Sequence, residues 1–348
     1  MIGYLVKRLA WAATLLIIIS FITFMLFIVA PGGVPLRPSM NPEITTNLRA
    51  QFEYNGKPLP VAYVHFLWQV VRHGQLGNSY QDGQPVSSKL EQAVPVTASL
   101  IFGGTVLWIL LALSIGILSA LRPRTLFDRA SMVFVLIGVS AHPIFLGLLL
   151  AYVFGLVLHV TPVTGYCSLH TKFGCQGTLQ WAYHLVLPWI TFAFLFAALY
   201  ARMVRASVLE TMNEDYVRTA VAKGAGRVRT LRRHVLRNAL LPIVTMLGMD
   251  IGLAFAGAIF VETVFGLPGV GQLLSLALQR RDLPVLMGIV LVVTLAVVIA
   301  NTIIDVLYCY IDPRVLGASA RPRPRVRRLP RPGLRSRAPT PVTRSPTT

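Results

Sequence analysis

Three acidic residues interrupt stretches that are otherwise strongly apolar: Asp250, Glu262 and Asp305. An ionised carboxylate is costly inside a bilayer, so such a residue marks a solute pathway or a polar contact between helices. Asp250 lies ten residues past Leu240, where its apolar run starts, and could face a polar pathway or a partner helix. Glu262 and Asp305 lie nearer the ends of their runs, where interfacial hydration favours a structural role. Motifs for enzymatic chemistry are missing. No G-x-x-x-x-G-K-[ST] occurs, so the chain cannot cradle ATP phosphates in the P-loop manner, and neither H-E-x-x-H nor G-x-S-x-G is present. The seven His and three Cys lack metal-site spacing. His142 before Pro143 reads as a helix kink rather than a ligand. Catalytic, cofactor-binding and metal sites are therefore all expected to be absent.

A second kind of signal lies in "NEDYVRTAVAKGAGRVRTLRRHVLRNALLP", residues 213–242. Asn213 can cap a helix, and Glu214 and Asp215 follow in the first turn, where the helix dipole favours anions. Lys223 falls in the last turn and Gly224 just beyond, the usual place for a left-handed terminus. The pattern predicts a helix of about ten residues, set apart from its neighbours at both ends. Ala220 and Gly224 are four apart, so a partner could approach one face closely. The basic stretch that follows carries Leu231, Val235 and Leu236, an apolar stripe suited to the bilayer surface. An ordinary solvated loop is the plain alternative, but such a loop has no need of two caps.

The elements that position these residues are membrane spans. The chain has 348 residues, of which 55% are hydrophobic and only 13% charged, and its mean hydropathy is +0.65. Soluble domains carry roughly 25% charged residues. A crossing helix needs about 20 apolar residues, and six runs are candidates: Leu9–Ala30, Val96–Leu121, Ser131–Leu158, Leu185–Ala201, Leu240–Val264 and Leu286–Tyr310. The fourth is short and contains Pro188. These runs lack period-2 alternation, which excludes a barrel. The first run is too long for a signal core and ends in "VAPGG", so it reads as a retained anchor.

With the N-terminus in the cytoplasm, 24 of the 32 Lys and Arg fall inside and 8 outside. The positive-inside bias therefore predicts that both termini are cytoplasmic. Topology and the tail account for most of the net charge of +19, which argues against nucleic-acid binding. Cys167 and Cys175 fall on the oxidising side, where they are either two free thiols or a disulfide closing a small loop. Cys309 reads as a packing residue. The domain reading is a first transmembrane helix over 1–30, an extracytoplasmic loop or subdomain over 31–95, and a domain holding the remaining spans over 94–312. Residues 317–348 form an Arg/Pro-rich tail with nine Arg, seven Pro and no acid, too polar to bury a core.

"DYVRTAVAKG" followed by "RNALLP" resembles the cytoplasmic loop of binding-protein-dependent ABC import permeases, in the peptide and nickel branch. "YLVKRLAWAATLLIIISFITFMLFIVAPG", "HLVLP", "VETVFGLPGVGQLL" and "DVLYCYIDPR" are similar to that branch too, in the same order along residues 1–315. Val221, Ala225 and Gly226 depart from the commoner loop pattern, as does the spacing of Pro143 from Ser140. The resemblance implies an all-α polytopic membrane protein with six transmembrane helices and the type I importer fold. It implies that Asp215, Tyr216, Thr219, Ala220, Lys223 and Gly224 form a coupling helix that docks on a cytoplasmic ATPase. The implied partners are a second homologous permease, two ATPase subunits or domains, an extracytoplasmic substrate-binding protein and membrane lipid. ATP and Mg belong to the ATPases. Di- or oligopeptide is the expected cargo, with nickel or a small solute such as glutathione as the alternative. A membrane-embedded enzyme or scaffold protein is the reading from another class.

Overall fold

A computed structural model describes residues 2–26, 59–168, 174–175 and 177–311. Among these residues the chain is helical, with one isolated bridge between Asn78 and Pro85. The helices are α1 (Ile2–Phe24), α2 (Leu59–His73), α3 (Val86–Leu121), α4 (Leu126–Ser140) and α5 (Pro143–Leu150). α5 continues in wider π-helical turns over Ala151–Val157. Next come α6 (Thr178–Met212), α7 (Asp215–Ala222) and α8 (Arg227–Thr230), then α9 (Leu236–Ala239), α10 (Leu241–Phe265), α11 (Val270–Arg280) and α12 (Leu283–Ile311).

Four of these, α3, α6, α10 and α12, are each long and apolar enough to cross a membrane. The expected span at Ser131–Leu158 is not one rod: α4 and α5 meet at a bend of 112°. Ala141 and His142 are extended there, as the residue before a proline prefers, and Pro143 begins the next helix with no N–H to offer. His142 caps that helix, its Nδ1 accepting from the Ile144 amide at 3.3 Å. In α1 the apolar helix Ala10–Phe24 falls short of a full crossing, and residues 27–30 of the expected first span lie outside the described residues. The expected six spans are thus four unbroken crossings, one bent pair and α1.

α3 and α6 form the centre because small residues let them touch. A Cβ at Gly104 would sit 2.5 Å from Phe192, and one at Gly116 would sit 2.7 Å from the Ala201 carbonyl. In lipid, where apolar side chains gain little by meeting one another, such close backbone approach drives helix pairing. Trp108 of α3 stacks on Phe196 of α6 at 4.5 Å and meets the edge of Tyr200 at 4.7 Å. All three aromatic residues are buried.

α3 begins at Val86, ten residues before the expected span, and the loop expected before it is correspondingly shorter. α2 packs on α1 through Tyr63, whose hydroxyl bonds to Ser20 at 2.6 Å and to the Ile17 carbonyl at 2.9 Å. Ser79 and the amide of Tyr80 donate to the buried Asp282, at 2.5 and 3.1 Å, fixing the turn before α3 to the start of α12. Burial, with the nearby Asp282 charge, pushes the Tyr80 hydroxyl up to about 12. The stripe of Leu231, Val235 and Leu236 faces the bundle core rather than the bilayer surface, which corrects the sequence reading.

Candidate functional site

The capped segment emerges as α7, but its caps differ from expectation. Asn213 does not cap it: its Nδ2 donates back to the Leu209 carbonyl at 2.9 Å and closes α6. Glu214 takes the cap position in an extended conformation, without a side-chain cap bond. Its carbonyl accepts from the amides of Val217 and Arg218, at 3.0 and 3.2 Å. Asp215 occupies the first turn, as expected. At the other end Gly224 has φ +82, and the amides of Lys223, Gly224 and Ala225 close on Thr219, Val221 and Ala220. A Cβ at Gly224 would meet nothing within 4 Å, so the backbone angle, not space, demands glycine.

Only Val217 of this eight-residue helix is buried, while Asp215, Tyr216, Thr219, Lys223 and Gly224 are exposed and Ala220 is half-buried. Helices this short are unstable alone in water. The anchors here are Val217 and a 2.8 Å bond from Asn238 Nδ2 to the Tyr216 hydroxyl, which ties α7 to α9. An exposed, capped helix with Tyr216 at 41% and Val221 at 57% exposure offers a rigid knob to a partner.

Just above it lies a polar cluster that sequence reasoning missed. Asp128 accepts from Arg205 Nε at 2.7 Å, from Arg205 Nη2 at 3.0 Å, from the Arg124 amide at 2.9 Å and from the Ser119 hydroxyl. It thereby joins α3, α4 and α6. "TLFD" at 125–128 carried a signal, since a Thr three residues before an acid can start a helix with mutual caps. Thr125 does accept from the Asp128 amide, at 3.4 Å.

The three acids within apolar runs bond in three different places. Asp250 accepts from the Tyr200 hydroxyl at 2.7 Å. Glu262 is fully buried rather than hydrated at an interface, which corrects the expectation. Its carboxylate accepts from Thr97 at 2.6 Å and from the amides of Gly271 and Gln272 at 2.7 and 3.1 Å. Thr97 in turn accepts from the Val270 amide at 2.8 Å, so the first turn of α11 is held by α3 and α10 together. Asp305 pairs with Arg8 at 2.5 Å, linking α12 to α1. Cys167 and Cys175 are joined, with Cα atoms 5.2 Å apart. The side chain of Cys309 and the tail 317–348 lie outside the described residues. Among the described residues no group of three or more His, Cys, Asp or Glu is placed to hold a metal ion.

Long apolar helices, a bent fifth pair and a short capped helix projecting between two spans are the build of a type I importer permease. The chain belongs to the family of binding-protein-dependent transport system inner membrane components, whose profile matches residues 112–317. The companion profile for the N-terminal part of such components matches residues 1–101. A Brucella suis biovar 1 (strain 1330) protein whose name carries the words "peptide permease" is 38% identical over 322 residues, spanning 90% of this chain and 99% of that one. The probable peptide ABC transporter permease protein y4tP of Sinorhizobium fredii (strain NBRC 101917 / NGR234) is 35% identical over 315 residues, 90% of this chain and 98% of its own. The dipeptide transport system permease protein DppB of Escherichia coli (strain K12) is 32% identical over 337 residues, with 90% and 99% covered. The chain is accordingly a multi-pass membrane subunit of a transport system that works with an ATPase and a substrate-binding partner.

Proposed function

We propose that this chain is the permease subunit of an ATP-driven importer that carries di- or oligopeptides across the plasma membrane. The observation that carries the reading is end-to-end similarity to permeases named for peptide transport, spanning 90% of the chain. α7 serves as the coupling helix, with Asp215, Tyr216, Thr219, Ala220, Lys223 and Gly224 meeting the ATPase. Its exposure and its separation from α6 and α8 support that role. A second, homologous permease completes the pathway, two ATPase subunits or domains hold ATP and Mg, and an extracytoplasmic protein delivers the cargo. Both termini are cytoplasmic, as the distribution of Lys and Arg supports.

The physical requirement is differential contact. ATP binding closes the ATPases, and α7 must fit the closed pair better than the open one to bias the bundle toward its outward-open state. α6 runs unbroken from the outer side to the α7 junction, over 35 residues, so displacement of α7 acts directly on the helix at the centre of the packing. Deleting the gene and measuring uptake of labelled dipeptide, tripeptide, nickel and glutathione tests the cargo. Loss of peptide uptake, restored by the gene, is expected; loss of nickel or glutathione uptake alone would overturn the peptide reading.

A further inference from the structure

Among the described residues five acids are buried or half-buried: Asp128, Asp250, Glu262, Asp282 and Asp305. Four are compensated. Asp128 and Asp305 each face a cation, respectively Arg205 and Arg8. Glu262 and Asp282 each accept two or more hydrogen bonds from fixed donors. Asp250 is the exception, with one neutral donor on one oxygen: the Tyr200 hydroxyl on Oδ2. Its depth makes this costly. It is nine residues past Leu241, about 13 Å along the helix, in a span that must cross about 30 Å of hydrocarbon.

The single donor is firmly held. Tyr200 is 1% exposed and wedged edge-on against Trp108, which is itself stacked on Phe196. This packing aims the hydroxyl, and the hydroxyl sets the carboxylate rotamer. Oδ1 is left without a partner among the described residues, and Asp250 lies beside two open apolar positions of α10, Met249 at 69% and Leu253 at 60% exposure. An oriented carboxylate with a spare oxygen, near mid-membrane and half-open, is suited to a cation that comes and goes.

Resting on the peptide reading above, we infer that Asp250, oriented by Tyr200, is a contact site for the cationic amino terminus of the peptide in transit. An ammonium supplies the missing positive charge and fits a single carboxylate oxygen, whereas the peptide's own carboxylate is repelled. A divalent metal would need several ligands, and no such cluster exists among the described residues. Because Asp250 touches the cargo only while it passes, its charge matters for transfer rather than for assembly. Tyr200 is a positioning residue.

The test uses the full importer, with both permeases, the ATPases and the binding protein, reconstituted in proteoliposomes with a labelled tripeptide that has a free amino terminus. The readouts are complex yield and peptide imported per ATP hydrolysed. Asp250→Asn keeps the volume and the acceptor for Tyr200 but removes the charge. It should assemble normally and lower the import-to-hydrolysis ratio at least about tenfold, one 1.4 kcal/mol step, while Asp250→Glu recovers most of the ratio. Tyr200→Phe should fall between them. A wild-type ratio for Asp250→Asn overturns the site, as does equal failure of the Asn and Glu variants, which would mean that shape and not charge matters. Failure of Asp250→Asn to assemble also overturns it, pointing to an ion pair with the second permease. No tripeptide import by the wild-type importer would instead reject the peptide reading, and the site with it.

Discussion

Arg205 reaches from α6 to Asp128 at the start of α4 and binds it with two parallel hydrogen bonds, Nε to Oδ1 at 2.7 Å and Nη2 to Oδ2 at 3.0 Å. Fork-to-fork geometry of this kind gives direction as well as energy. Arg205 lies eight residues before Asn213, so the pair fixes the segment of α6 from which α7 projects. The same cluster ties that segment to α4 and, through Ser119, to α3.

Asp128→Ala should destabilise the purified protein by about 3 kcal/mol, because it leaves a guanidinium with no counter-charge in a largely buried setting. The low end of the range applies because the Arg205 side chain is 24% exposed. Thermal unfolding in detergent measures this. The Asp128→Ala/Arg205→Ala double variant should lose less than the sum of the singles; strict additivity would mean that the pair contributes nothing.

Gly224→Asp should cost about 1 kcal/mol locally through its left-handed backbone angle, too little to unfold the bundle. Membrane insertion and pairing with the second permease should persist, while ATPase recovery on purification or peptide uptake is lost. Normal uptake at wild-type protein levels would refute the coupling role of α7.

Cys167 and Cys175 should resist alkylation until a reductant is added. Closing so small a loop stabilises by about 2.5 kcal/mol in the chain-entropy treatment, so Cys167→Ser should unfold at lower temperature. Full labelling of both thiols before reduction would remove the bond.

Glu262→Ala should destabilise by at least about 2 kcal/mol, since it strips the acceptor from buried donors on Thr97, Gly271 and Gln272. Glu262→Gln keeps an acceptor oxygen and should lose less. Equal melting of the Ala variant and the wild type would show that the cluster is dispensable.

Reporter fusions after Arg124 and after Val342 should both report cytoplasm, and a fusion near Gln84 should report the outside. Any reversal breaks the proposed orientation.

The spans were legible because continuous apolar runs need no partner to be recognised. Gly224 was legible because a helix terminus is a local pattern, and the φ of +82 follows from it. The bend at His142–Pro143 was read as a kink, but hydropathy is blind to direction and could not give an angle of 112°. Asn213 was misplaced because the same residue type can start one helix or end another, and α6 runs on past Ala201 to Met212. Ser79 with Asp282 and Thr97 with Glu262 are separated by 203 and 165 residues, so no window of a single sequence joins them. For Glu262 the structural role agrees with its contacts but the expected hydration does not, because proximity to a span end looked like access to water.

The fit between Glu262 and the turn before α11 also constrains how the gene can change. A side chain at Gly269 would run into the Glu262 carboxylate, and one at Gly271 would lie 2.6 Å from the Ile259 backbone and 2.9 Å from that carboxylate. A smaller residue at 262 would relieve the collision at 269, but it removes the acceptor of the Gly271 and Gln272 amides. A side chain at 269 or 271 and a smaller residue at 262 each damage the corner, and pairing the two changes does not restore the acceptor that the amides lose. Positions 262, 269 and 271 are coupled by direct contact, so laboratory evolution of altered cargo preference should move through the open face of α10 and leave this corner untouched.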